Sequence, residues 1–209
     1  MTPLVKDVKV PQDANTLSSF DKLLWTIIGL LLTIGGVFLE VAIPLPKLAW
    51  PIDLSNVSTY SLGVTFQVGA ILLVGCMAGR SPAALSQIAY LALGLAGFQV
   101  FAQGGGLGYL QEPTFGYLLG FIPGAWVCGH LAFRQKRRLE TLIISCLSGL
   151  ACIHTLGLLY LSVLSVLRLT VVNWWGAVLQ YSIFPLPGQF IIVCAVAVSA
   201  YVLRVLLFY

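Results

Sequence analysis

The hydrophobic positions of this chain gather into long blocks rather than short alternations. Uncharged runs occupy residues 23–39, 54–79, 81–111, 113–133, 141–167 and 169–203. A bilayer core about 30 Å thick is crossed by about 20 apolar residues in a helix. The six runs therefore predict six transmembrane helices, over 23–43, 63–79, 82–97, 114–133, 139–162 and 187–208. Barrel strands would alternate polar and apolar residues over about 10 positions, and these runs do not. In lipid each spanning backbone must satisfy its own hydrogen bonds, which leaves helices.

Polar punctuation sets the expected boundaries. Pro44 and Pro46 should end or kink the first helix. Residues 47–61 carry Pro51, Asp53, Ser55, Asn56 and Ser58 and read as an extramembrane loop. Ser81 and Pro82 suit the N-cap and first position of the third helix. The RQKRR stretch at 134–138 separates helices four and five, and a connector at 163–186 carries Arg168, Asn173, Trp174 and Trp175.

Composition agrees with this pattern. The 209 residues are 59% hydrophobic and 9% charged, with a mean hydropathy of +0.97, whereas soluble domains carry about 25% charged residues. A soluble enzyme, a disordered chain and a disulfide scaffold are excluded. The fold class is all-α integral membrane. Residues 1–22 hold Lys6, Asp7, Lys9, Asp13, Pro3 and Pro11 without an apolar segment, and are expected to be a polar cytoplasmic tail before a membrane domain at 23–209.

Charge then gives orientation. With the amino terminus inside, six helices place Lys6, Lys9, Lys22, Arg80, Arg134, Lys136, Arg137, Arg138 and Arg204 on the inner side, and only Lys47 and Arg168 outside. Nine against two is a strong positive-inside bias, so both termini are expected in the cytoplasm of a multi-pass cell-membrane protein. The net charge of +4 is read as topology, not as a nucleic-acid footprint.

Little in the chain suggests catalysis. Five cysteines, Cys76, Cys128, Cys146, Cys152 and Cys194, lie in apolar runs without a CxxC pair, and packed or lipid-facing thiols are expected. His130 and His154 lie on different helices without a carboxylate neighbour. No metal set or cofactor is expected, and His154 is read as a hydrogen-bonded packing residue. No Ser or Cys is linked by spacing to a histidine base, and there is no GxxxxGKS/T phosphate loop. Gly116, Gly120 and Gly124 leave a smooth stripe on helix four, expected to receive another helix of the same chain.

The segment FAQGGGLGYLQEPTFGYLLGF at 101–121 is the most unusual. Consecutive glycines let backbone approach a ligand, and the interleaved amides and aromatics suit a small-molecule pocket. Gln103, Gly104, Gly105, Tyr109, Thr114 and Tyr117 are its candidate residues.

With these residues in view, the chain resembles the BioY family, the biotin-specific S-components of energy-coupling factor (ECF) transporters. The strongest piece is PTFGYLLGF at 113–121, similar to the family's PT-x-GYL-x-GF. YLALGLAGFQVFAQGGG at 90–106, Val64-Thr65-Phe66-Gln67, Gly79-Arg80 and PLPGQF at 185–190 also match family patterns. Two departures stand out: Gln189 and Ile192 occupy positions where the family usually has an acid and a lysine.

The resemblance implies an S-component-like bundle that takes up biotin, and no enzymatic activity. It implies partners too: an ECF transmembrane coupling subunit and ATPase subunits. Helix one lacks the small-xxx-small alanine pair by which S-components pack on the coupling subunit, and Gly29 and Thr33 are a poor substitute for it. Biotin carries a cyclic urea, an apolar sulfur ring and a carboxylate. Gln67, Gln103 and Gln189 are candidates for the urea, since an amide both accepts and donates. Thr65 lies in the matched segment, Arg168 is the candidate for the carboxylate, and Tyr90, Tyr109, Tyr117 and Trp174 are candidates to cover the rings. Alternatives are an S-component for another small molecule and an intramembrane enzyme or assembly factor.

Overall fold

The computed structural model describes residues 18–46, 57–134, 138–167 and 173–207. Helix α1 spans Ser19–Val37; strands β1 (Glu40–Pro46) and β2 (Val57–Thr65) pair antiparallel. Helices α2 (Gln67–Ala78), α3 (Arg80–Leu95), α4 (Phe115–Arg134) and α5 (Leu139–Val166) follow. A short α6 (Trp174–Val178) runs through a π turn (Leu179–Ile183) to α7 (Leu186–Leu207). The molecule is an all-α membrane bundle with one small hairpin, and each helix predicted from the sequence has its counterpart. Helices α1, α4 and α5 and the segment Trp174–Leu207 are long and apolar enough to cross a membrane. Helices α2 and α3 have 12 and 16 residues, about 18 and 24 Å at 1.5 Å per residue.

Several boundaries differ from expectation. The first helix stops at Val37 rather than near residue 43, and Glu40 pairs with Thr65 in the hairpin, so α2 starts at Gln67 rather than 63. Pro44 and Pro46 cannot donate within a helix, but an edge strand of a two-stranded sheet accommodates them. Residues 47–56 of the expected loop lie outside the described residues. Glu40, expected near the end of helix one, is exposed on β1 and accepts a hydrogen bond from the Ser61 hydroxyl at 3.0 Å. The third helix begins at Arg80 and not after Ser81, because the chain turns at Gly79, whose φ of +83° is open to glycine and strained for other residues. A capping box of Ser18 and Asp21 starts α1.

Small residues set the packing. A Cβ on Gly120 would lie 2.8 Å from the Ile153 carbonyl oxygen, and one on Gly124 would lie 2.7 Å from Ile153 Cγ1. From the other side, a Cβ on Gly149 would meet the Gly124 carbonyl oxygen at 2.9 Å. The glycine stripe of α4 is thus filled by α5 of the same chain, backbone against backbone. On α1, a Cβ at Gly29 would meet Ser86 Oγ at 2.8 Å, and buried Thr33 accepts from Gln87 Nε2 at 3.0 Å. Gly29 and Thr33 therefore face α3, not the outside. The outward face of α1 carries exposed Leu23, Leu24, Ile27 and Leu31, as a lipid-facing surface does.

The α4–α5 seam gives a direct test. Gly120→Leu should cost about 1–3 kcal/mol by overpacking and lower the thermal-aggregation midpoint of the detergent-solubilised protein. Gly108→Leu, where a Cβ meets nothing within 4 Å, should leave the midpoint in place.

Candidate functional site

The glycine-rich segment folds down on the end of α3. Phe101 and Gly104 exchange backbone hydrogen bonds of 3.0 and 3.1 Å, and the Gly106 N–H donates to the Gly94 carbonyl at 2.7 Å. Gly104 and Gly106 have φ of +115° and +95°, so the turn requires glycine at both. A Cβ on Gly105 would fall 2.1 Å from the Phe98 carbonyl oxygen, which puts this glycine's close approach against the protein's own backbone. Gln103 is exposed. One 3-10 turn, Leu107–Gln111, then buries Tyr109.

An aromatic row runs beneath the segment. Ring centroids are 5.2 Å apart for Tyr90–Phe101, 4.6 Å for Phe101–Tyr109, 6.4 Å for Tyr109–Phe115 and 5.8 Å for Phe115–Tyr160. The Tyr160 hydroxyl donates to the Leu110 carbonyl and pins the 3-10 turn to α5. The Thr114 hydroxyl donates to Tyr109 Oη at 3.3 Å. At one end of the row, Gln67 Nε2 donates to Tyr90 Oη at 2.9 Å, and Tyr90 donates onward to the Val100 carbonyl at 3.0 Å. Two residues 23 positions apart, chosen from the sequence as ligand contacts, are thus directly bonded.

A second polar network joins α4, α5, the π turn and α7. His154 Nε2 lies 2.7 Å from Gln189 Oε1, His154 Nδ1 lies 3.3 Å from Ser182 Oγ, and Ser182 Oγ lies 2.6 Å from Tyr117 Oη. An amide oxygen only accepts, so Nε2 carries the proton. In the neutral ring Nδ1 then accepts from Ser182, and Ser182 accepts from Tyr117. The network is directional, Tyr117 to Ser182 to His154 to Gln189, and the Tyr117 ring meets His154 edge-on at 5.7 Å. It consumes the oxygen of Gln189 and leaves its amide N–H groups. His154 is the hydrogen-bonded histidine expected from the sequence, but Ser182 was not foreseen. It lies 28 and 65 residues from its partners, and it is placed by the π turn, where Phe184 N–H donates five residues back to the Leu179 carbonyl at 2.9 Å. Such turns concentrate at functional sites.

The starts of α2 and α7, which carry Gln67 and Gln189, are neighbours. A Cβ on Gly69 would meet Ile192 Cγ2 at 2.8 Å, and one on Gly188 would meet Val64 Cγ2 at 2.6 Å. Ile192 is buried at 2% exposure, an apolar side chain packed on Gly69. Thr65 is half-buried and closes β2 opposite Glu40. Trp174 is drawn towards α5, its indole N–H donating to Ser162 Oγ at 3.2 Å. Arg168 lies outside the described residues.

Residues 13–207 match the model of the BioY family. The chain is 31% identical over 185 residues to an uncharacterised 21.2 kDa protein of Cyanophora paradoxa from the psbX–ycf33 intergenic region, covering 88% of this chain and 95% of that one. It is 32% identical over 148 residues to the probable biotin transporter BioY of Lysinibacillus sphaericus, 70% of this chain and 67% of the relative. With the biotin transporter BioY of Thermotoga maritima it shares 38% identity over 99 residues, 47% of this chain and 58% of that protein. Its fold is similar to the crystal structure of the S-component for biotin from an ECF-type ABC transporter, with a TM-score of 0.63 at 20% identity over 90% of this chain and 94% of that one. By the match across nearly its whole length, the chain belongs to the BioY family.

Proposed function

We propose that this chain is the substrate-binding membrane component of a biotin uptake system and not an enzyme, with its ligand site between the glycine segment and the starts of α2 and α7. One observation carries the reading: two neighbouring helix starts each present a buried amide with a different half unspent. Gln67 gives one N–H to Tyr90, and Gln189 gives its oxygen to His154. Gln67 Oε1 is an acceptor for a urea N–H, and Gln189 Nε2 is a donor for a urea carbonyl. Tyr109, Tyr117 and Trp174 border the ring system, and Arg168 is the cation proposed for the carboxylate. Thr65, Gln103, Gly104, Gly105 and Thr114 shape the rim.

Six spans with both termini inside follow from the charge count, which puts the glycine segment on the outer face. The chain has no phosphate-loop motif, so ATP-driven movement would come from separate ATPase subunits through an ECF coupling subunit. A second reading, an S-component for a different neutral, urea-like molecule, is favoured by buried Ile192 at the lysine position.

Binding isotherms of the detergent-purified protein with biotin test the site. Gln189→Leu removes a buried partner at about 1–3 kcal/mol, so affinity should fall roughly tenfold or more. Gln189→Glu keeps an acceptor for His154 but removes the amide donors, and should also weaken binding. Unchanged affinity in both variants would remove Gln189 from the site. If biotinamide binds as well as biotin, Arg168 is not a recognition residue; if neither binds, the second reading takes precedence.

Orientation is tested by single cysteines. Leu107→Cys should react with a membrane-impermeant maleimide on intact cells, and Lys136→Cys only after permeabilisation. Labelling of both from one side would overturn the topology.

A further inference from the structure

Away from the glycine segment, Cys76 of α2, Cys128 of α4 and Cys146 of α5 meet in the core near the other end of the bundle. Their Sγ atoms lie within 4.8 Å of one another, with Cys76–Cys128 at 3.8 Å and Cys76–Cys146 at 3.5 Å. All three are fully buried. Sulfurs held by bonds of about 2.3 Å to one ion stand roughly 3.8 Å apart in a tetrahedron and about 4.0 Å apart in a plane. Three helices therefore deliver thiols already close to ligand spacing. Glycines permit it: a Cβ on Gly75 would lie 3.2 Å from Cys128 Sγ, and one on Gly149 would lie 3.0 Å from Cys128 Cβ.

A second feature bears on charge. Arg204 of α7 is buried at 5% exposure. It donates to the Cys76 carbonyl and, at 3.1 Å, to the Ala132 carbonyl, and its guanidinium sits 4.3 Å from the Phe133 ring centroid. A fixed positive charge thus stands beside the thiols in a low-dielectric core, where an anionic neighbour offsets its desolvation.

We propose that Cys76, Cys128 and Cys146 bind one copper(I) ion. Soft thiolates select copper(I) or zinc, and structural zinc takes four ligands, whereas the cluster among the described residues supplies three. Copper(I) with two thiolates and one thiol carries a single negative charge, and the Arg204 guanidinium, bonded to the Cys76 carbonyl, lies close to it. Two thiol protons leave as the ion enters. Because the thiols are closed to solvent, the ion enters while the helices assemble, and it ties α2, α4 and α5 together at the end remote from the ligand network.

The test is metal analysis of the full chain, expressed in copper-supplemented cells and purified without oxygen in detergent. The intact protein and Cys194→Ser should each hold about one copper per chain after exposure to a copper(I) chelator, with an X-ray absorption edge typical of copper–sulfur bonds. Cys76→Ala/Cys128→Ala/Cys146→Ala should hold at least about tenfold less. Should the triple variant fail to fold, Cys128→Ser alone should lose its copper to the chelator at least about tenfold faster. Copper retention unaffected by these changes would overturn the proposal. So would an intact protein without copper, or one in which two of the thiols are found as a disulfide by a 2 Da mass loss. None of these outcomes depends on whether biotin binds.

Discussion

The close approach of α4 and α5 is the constraint on which the rest of this bundle depends. Side chains larger than hydrogen at Gly120 and Gly124 would drive into Ile153, and a Cβ on Gly157 would reach the Tyr117 ring at 2.4 Å. Only with these positions empty can Tyr117 of α4 lie beside His154 of α5. The same contact seats Phe115 against Tyr160, which holds the 3-10 turn and with it Tyr109. Because lipid tails are as apolar as leucine, burying hydrophobic surface does not by itself bring helices together in a membrane. Shape has to do it, and here the shape is a pair of glycine-lined helix faces.

Much of this architecture is legible in the sequence because lipid makes the rules strict. Charge-free runs become helices since no other backbone arrangement is satisfied there, and charged residues mark the ends. The hairpin was not legible. Its strands sit between an apolar helix and an apolar helix, and Pro44 and Pro46 signal an end to helix without signalling pairing. The cap at Gly79 was missed for a related reason: Ser81 and Pro82 give a strong local start signal, but a positive φ is a property of the turn. Side-chain networks were the least legible. Gln67 and Tyr90 were each named as candidates from family patterns, yet their bond comes from the crossing of two helices. His154 was seen and its partners were not, because Ser182 and Gln189 reach it through tertiary structure alone.

The departures from the family pattern acquire a physical sense in this setting. Gln189 accepts a hydrogen bond from His154 Nε2, so its oxygen is engaged and its amide N–H groups remain, where a carboxylate would have only acceptors. Ile192 fills a hollow created by Gly69 and belongs to the apolar core around Leu72, Val193 and Val196. A lysine there would have to displace that packing. The two changes agree with each other: without a cation at 192, an anion at 189 would have only His154 beside it to offset its burial.

The π turn at Leu179–Ile183 has a consequence for how this family diverges. An α-helix advances about 100° per residue, so the one extra residue held in a π turn acts as a phase offset for everything on its far side. Ser182 lies within the turn itself, and Gln189, on its far side, meets His154 with that offset in place. Two relatives could carry identical residues in an alignment and still aim this serine in different directions, if one of them has a straight α-helix here. In this segment a one-residue deletion would therefore re-aim more side chains than a single substitution. A gap of a single position, which alignment treats as noise at the edge of a loop, would rotate polar groups out of the His154 network.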